Sequence, residues 1–404
     1  MDLVAGDKKT CSGCEACVSV CPKHAITMKP DKFGFIFPYI DKSLCIDCGL
    51  CMKKCQFKND EISNSKSKVY AVVNKNEEMC ISSASGGAFT ALAQWIFDKN
   101  GIVVGCAWDE HIMPKHIIIS SMKDIGKLQG SKYVQSSMGV IYEHVKEYLE
   151  HDRYVLFSGT PCQCAAIRAY LNRKYEKLFC VELLCHGVPN AKMFREYLDM
   201  LEKKMRAKII DIHFRDKKLG WGALLRIDYL KEGRHRIKYL KPEESYYYYY
   251  FFKRSLFFRE SCYSCKYASE HRLSDFTIGD YWGGQNFHPT FDQAKGISVL
   301  IATGEKAINT LPELRNYLLM EESSIDYVKI ENGQVSKPSL KDSSYDELLE
   351  RLTTRGSEAF EEEYHKRYRK NVFFGKLKRL VPLWVKRILL RTKRIVAKTN
   401  SQIK

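Results

Sequence analysis

The sequence predicts an α+β chain of more than one domain, and three observations predict it. Eight of the sixteen cysteines crowd into the first 55 residues. Beyond a polar, serine-rich stretch at 61–68, strand-like and helix-like segments alternate to about residue 325. After residue 363 the composition turns sharply basic. A chain of 404 residues, 45% of them hydrophobic, has ample material for a core and fits two or three domains. No run of eighteen apolar residues occurs, so no membrane-spanning helix is expected. Residues 1–7 lack a basic stretch followed by an apolar one, so no signal peptide and a cytoplasmic location are expected.

The first element is the cysteine-rich segment, residues 1–60. Sixteen cysteines would suggest a disulfide scaffold in a secreted protein. Here the spacing suits metal clusters better. Cys11-x2-Cys14-x2-Cys17-x3-Cys21-Pro22 is repeated 34 residues later as Cys45-x2-Cys48-x2-Cys51-x3-Cys55. This is the run of a bacterial two-cluster ferredoxin, in which three thiolates on one loop hold three corners of a 4Fe–4S cubane and the fourth cysteine serves the other cluster. Cys11, Cys14, Cys17 and Cys55 are therefore assigned to one cluster, and Cys45, Cys48, Cys51 and Cys21 to the other. A pair of zinc sites is the alternative, but eight thiols in this repeated pattern suit zinc poorly. Gly13 and Gly49 lie inside the loops, where backbone must approach inorganic sulfur. Gln56 stands where the second copy usually has proline, which is expected to loosen that turn and removes no ligand.

After the linker at 61–68, strands are expected at 69–73, 101–107, 116–119, 154–157, 178–184, 275–279 and 297–302. Helices are expected at 86–98, 138–149 and 305–318. Two loops look chemical. The small residues from Ser82 to Gly87 precede a helix, leaving backbone N–H groups and the positive end of the helix to face an anion; a well-capped helix is the equal alternative. Residues 159–163 form a loop after a strand, where α/β proteins bind ligands. Cys162, Cys185, Cys262 and Cys265 could together hold a third cluster, or Cys162 and Cys185 could be buried small hydrophobes. Cys80, Cys106, Cys164 and Cys180 read as structural. The aromatic run from Tyr246 to Phe252 reads as core and receives no role.

Several short motifs occur in one order: Ser83 to Gly87, Gly130 to Ser136, Gly159 to Gln163, Cys185 to Pro189, Gly220-Trp221, Ser261 to Lys266, and Ser274 to Gly283. Together with the cysteine repeat they resemble the beta-subunit family of the deazaflavin (coenzyme F-420) hydrogenases and dehydrogenases, over about residues 9–303. The resemblance implies FAD and a further 4Fe–4S cluster within residues 69–325, an FAD- and cluster-binding oxidoreductase domain. It places the third cluster on Cys162, Cys185, Cys262 and Cys265. It places the flavin at Ser83, Ser85, Gly86, Gly87, Lys132, Tyr133 and Thr160, with Asp280. His186 is a candidate proton donor by its usual pKa, or a structural histidine beside a cluster ligand. The implied function is an oxidoreductase passing electrons from a ferredoxin-type donor through 4Fe–4S clusters and FAD to an organic acceptor. The alternative is a non-catalytic subunit relaying electrons to a partner enzyme.

Residues 326–370 are expected to form a C-terminal extension, and 371–404 a basic amphipathic tail. The tail holds ten Lys/Arg and no acidic residue, which leaves +7 of the net +17 for the rest of the chain. Leu377, Val381, Trp384, Ile388 and Ile395 fall near helical spacing, with Pro382 suited to a helix's first turn. Peripheral membrane contact is the favoured reading of the tail, ahead of nucleic acid or a protein partner.

Overall fold

The computed structural model describes residues 2–4, 7–58, 66–382 and 385. Most of the expected linker and the tail beyond 385, with Trp384, Ile388 and Ile395, lie outside the described residues. The cysteine-rich segment forms a small antiparallel sheet in the order Asp2–Leu3, Ile36–Ile40, Ile26–Pro30. Two one-turn helices, Ala16–Ser19 and Leu50–Lys53, carry Cys17 and Cys51.

The body is built on an eight-stranded mixed sheet. Its spatial order is Leu318–Ser323, Ser67–Asn74, Ser298–Thr303, Phe276–Asp280, Leu178–Leu183, Val155–Gly159, Ile102–Trp108, Pro114–Ile119. Phe276–Asp280, Leu178–Leu183, Val155–Gly159 and Ile102–Trp108 pair in parallel, and both flanks are antiparallel. Runs such as Ile102-Val103-Val104 and Val155-Leu156-Phe157 are buried throughout, as strands covered on both faces require. One covering helix, Ala88–Asp98, buries Ala88, Ala91, Leu92, Trp95 and Ile96, a stripe at helical spacing. All seven expected strands are present.

Other expectations need correction. The segment 159–163 is not a loop. The strand runs to Gly159 and the helix Pro161–Leu171 begins at once. Pro161 takes the first helical position, and Gln163 Oε1 accepts from the Thr160 N–H at 2.9 Å. The helix expected at 305–318 is Gly304–Leu314; Leu318 already belongs to the edge strand. The 326–370 extension is integral to the fold. Its helix Tyr345–Arg367 buries Leu348, Leu349, Leu352 and Phe360 in one core with the helices Ala191–Met205 and Tyr246–Arg254 and the three-stranded sheet Lys208–Phe214, Leu225–Lys231, Arg234–Leu240. Tyr246 to Tyr250 are buried there, as core.

The cysteine-rich unit is docked by polar contacts. Buried Arg259 donates to Cys11 O (3.2 Å), Ile36 O (2.6 Å) and Gln135 Oε1 (2.8 Å). Tyr142 Oη donates to Cys14 O at 2.6 Å, and Glu15 accepts from the Met138 and Gly139 N–H groups. A Cβ on Gly13 (φ +66°) would come within 2.7 Å of Arg259 Nη2, whereas one on Gly49 would touch nothing. The glycine demand at Gly13 thus includes this docking. Gln56 does not loosen the unit. It is 2% exposed, donates to Ser12 Oγ at 3.1 Å and accepts from Tyr267 Oη.

Candidate functional site

Chain fold brings the cysteines into three groups. Cys11, Cys14, Cys17 and Cys55 line one small pocket; Cys21, Cys45, Cys48 and Cys51 line another. The fold brings Cys55 beside the first cysteine loop and Cys21 beside the second. Among the described residues no three Cys, His, Asp or Glu side chains gather tightly enough to grip a single ion. The thiols ring a pocket instead, an arrangement suited to a polynuclear core. Burial, with the repulsion of Cys11, Cys162 and Cys55, pushes the Cys14 thiol up to about 12. The cationic iron of a cluster supplies the charge that ionises such a thiol.

The third group comes from three places. Cys162 sits in the first turn of Pro161–Leu171, Cys185 follows the strand Leu178–Leu183, and Cys262 and Cys265 flank a tight turn. Burial raises the Cys185 thiol well above its ordinary value, and Cys262, Cys162 and Cys265 add to it by repulsion, so the four lie close together. Burial dominates at Cys11 and Cys14 too, and both also feel Cys162; Cys17 feels Cys51. The three groups therefore stand in a row. The group containing Cys48, which is exposed, is at one end, and the partly buried Cys162 group is at the other.

The row ends at a cavity of about 720 Å³. Its wall includes Cys14, Cys162 and Cys185. It lies at the carboxyl ends of the parallel strands, marked by Gly105, Thr160, Leu184 and Asp280, where open α/β sheets bind ligands. Ser83, Ser85, Gly87, Lys132, Tyr133, Thr160, His186 and Asp280 all line it. Gly86 does not. It packs on the sheet, where a Cβ would meet Val72 O at 2.5 Å and Ser298 N at 2.7 Å. Ser83 Oγ donates to Met79 O (2.7 Å) and Ser85 Oγ to Ile297 O (2.8 Å), so the hydroxyls shape the loop and its backbone faces the cavity. Lys132 Nζ donates to Gln129 O at 2.8 Å, and burial holds its pKa down. Burial also lowers that of His186, with Asp280 opposing the shift.

Sequence reasoning missed several wall residues. His116 and Arg215 line the cavity from elements whose patterns flagged nothing. Lys217, two residues beyond Arg215, donates to Cys80 O, Ser85 O and Lys295 O, each at 2.6 Å, and burial lowers its pKa to about 8. It clamps the small-residue loop in place. Cys106, read as structural, also lines the cavity. The nearest signal was Gly220-Trp221 and Trp282, whose rings stack at 4.5 Å.

This fold and these cysteines define an iron–sulfur protein of the oxidoreductase type, an α/β body wired to a two-cluster ferredoxin unit. Residues 152–327 match the family model for the C terminus of the coenzyme F420 hydrogenase/dehydrogenase beta subunit, and residues 10–59 match the 4Fe–4S dicluster domain. The matched segments, residues 10–59 and 152–327, thus join a 4Fe–4S dicluster domain to a domain similar to the C terminus of the coenzyme F420 hydrogenase/dehydrogenase beta subunit. It is 26% identical over 203 residues to a subunit of the F(420)H(2) dehydrogenase of Methanosarcina mazei, covering 46% of this chain and 58% of that one. It is 28% identical over 196 residues to an uncharacterized protein of Methanocaldococcus jannaschii, covering 41% and 54%. The match thus spans little more than half the length of these curated relatives. A chain of the F420-reducing NiFe hydrogenase complex from Methanosarcina barkeri aligns over 74% of this chain and 97% of its own, with 14% identity and a TM-score of 0.45.

Proposed function

We propose that this chain is the electron-transfer subunit of a larger redox assembly, relaying electrons between a partner enzyme and a two-electron carrier held in its cavity. The observation that carries this reading is the row of three cysteine groups running from the surface into the cavity wall at Cys162 and Cys185. Subunit status is suggested by the naming of the Methanosarcina mazei relative. FAD fits the cavity by size and by wall chemistry: small residues and backbone at Ser83–Gly87, aromatic rings at Tyr133 and Trp282, and cations at Lys132 and Arg215. When bound, a flavin supplies conversion between one-electron and two-electron chemistry. The chain's own residues shape the loop, exclude water and hold the ligand thiols.

A second reading keeps the same cavity and cofactor and adds turnover on a small organic acceptor. It is a free-standing ferredoxin-linked, FAD-dependent reductase. Flavin and iron released by acid from anaerobically purified protein test both. About one FAD and roughly twelve irons per chain are expected, the iron falling to roughly eight in C162S. No flavin, even after reconstitution of protein with intact clusters, removes the flavin from both readings, and roughly eight irons in the wild type removes the third cluster. Turnover with ferredoxin and no partner would favour the second reading.

A further inference from the structure

Arg215 follows the strand Lys208–Phe214 and is 2% exposed. Its backbone lies in the left-handed region, φ +68°, which side-chain-bearing residues rarely adopt and which marks places where surrounding structure imposes the conformation. The guanidinium is held on almost every side. Nε donates to Gly222 O at 2.6 Å; Nη1 donates to Asp280 Oδ2 at 2.5 Å and reaches Tyr133 Oη at 3.4 Å. Its flat face lies 4.7 Å from the Trp282 ring, with Phe252 at 5.6 Å. Nη2 alone is buried without a hydrogen-bond partner. An unpaired N–H on a buried charge is costly and rare in a native fold. Arg215, Asp280, Tyr133, Phe252 and Trp282 all border the cavity. His186, next in the chain to Cys185, lines the same cavity and feels the charges of both Asp280 and Arg215.

We propose that Arg215 grips the redox-active ring in this cavity and favours its reduced, anionic form, by donating the unpaired Nη2–H to an electron-rich oxygen or nitrogen of a conjugated, carbonyl-bearing heterocycle. This rests on the reading of the cavity as a flavin site. Reduction of such a ring takes two electrons, supplied singly by a low-potential donor through the thiolate-held iron, and one proton from water. It leaves one negative charge on the ring. A guanidinium already stacked on Trp282 and tied to Asp280 keeps a fixed positive charge at the wall, so that little movement brings Nη2 to the ring. Lys217, engaged by three carbonyls, and Lys132, engaged by Gln129 O, are placed to shape loops rather than to do this.

The test uses full-length protein, purified anaerobically with its iron and loaded with FAD. The midpoint potential of the bound flavin and its affinity in both redox states are measured for wild type, R215K and R215Q. R215Q is expected to weaken the preference for the reduced ring at least tenfold, which for a two-electron couple lowers the potential by about 30 mV. R215K should fall between. If R215Q fails to retain iron, R215Q/D280N, neutral on both sides of the pair, is compared with D280N and should show the same loss. Unchanged potentials with full iron and bound FAD overturn the assignment and leave the flavin reading intact. Equal weakening of both redox states also overturns it, and marks Arg215 as a contact to the cofactor's phosphates. Wild-type protein that takes up no FAD defeats the cavity reading itself.

Discussion

His116 shows how a single buried residue ties the cavity wall to pH. Its Nε2–H donates to Ser158 O at 3.1 Å, its Nδ1 accepts from Ser136 Oγ at 3.0 Å, and Gln163 Nε2 donates to that same Ser136 Oγ at 3.0 Å. Burial, only partly offset by the bond to Ser158 O, holds its pKa down to about 4. An unfolded histidine titrates near 6.5. Between 6.5 and 4 the unfolded chain therefore binds a proton that the folded chain refuses, and stability falls as pH drops through that window. The full loss is on the order of 3 kcal/mol, and about 2 kcal/mol of it appears between pH 6.5 and 5. H116N keeps an acceptor for Ser136 on the Nδ1 side and removes the titration. Chemical denaturation at pH 6.5 and 5 should show a shallower decline for H116N by about that amount; parallel declines would refute the assignment. Residues like this one and Arg215 leave no trace in the sequence. Each gains its role from elements far apart in the chain, such as Ser158, Ser136 and Gln163 around His116. The cluster ligands were legible for the opposite reason, because three of each four lie on one loop at a spacing the cubane dictates.

Elements were legible where periodicity was local and strong. The buried runs 102–104 and 155–157 could hardly be anything but interior strands. Boundaries failed where a cap or a helix stop overruled the pattern, as at Thr160 and beyond Leu314. Gln56 is the instructive case, for what looked like a weakened turn is the polar pin between the ferredoxin unit and Tyr267. The last described helix, Arg369–Leu380, offers an element-scale prediction. Val372 is buried and Gly375 packs on Glu243, so that face is docked. The other face carries Phe373, Phe374, Leu377 and Leu380, all more than half or about half exposed, with Lys376 and Lys378 between them. No described helix is long and apolar enough to cross a membrane. An exposed apolar stripe framed by cations fits the surface of an anionic bilayer. Sedimentation with phosphatidylserine vesicles should retain the full chain and lose a version ending at Asn371, with binding weakened by salt; equal binding by both, or none by the full chain, sinks the reading.

Across the whole molecule, exposure differs among the cysteine groups, and the difference makes a claim about where a protein partner exchanges electrons. Cys11 and Cys17 are buried, and Cys14 and the Cys162 group are partly buried. Cys48 is exposed. Around it Leu44 and Ile46 are more than half exposed. Lys53 and Lys54 follow in the chain just beyond the second cysteine loop, with Lys146 near Lys54. An apolar centre with a cationic margin suits an acidic redox protein, whose encounter is steered by charge and screened by salt. On the proposed reading, the ferredoxin unit is the outlet or inlet of the electron path and the cavity is its far end. Replacing Cys48 by Ala should remove only the outer cluster, about four irons. Reduction of the remaining centres by dithionite should persist, because a small ion can reach them without docking. Reduction by a protein donor such as reduced bacterial ferredoxin should slow at least tenfold in C48A, and the wild-type rate should fall with rising salt. If C48A accepts electrons from ferredoxin as fast as wild type, exchange occurs elsewhere on the surface, and the order of the three groups as a path would have to be abandoned.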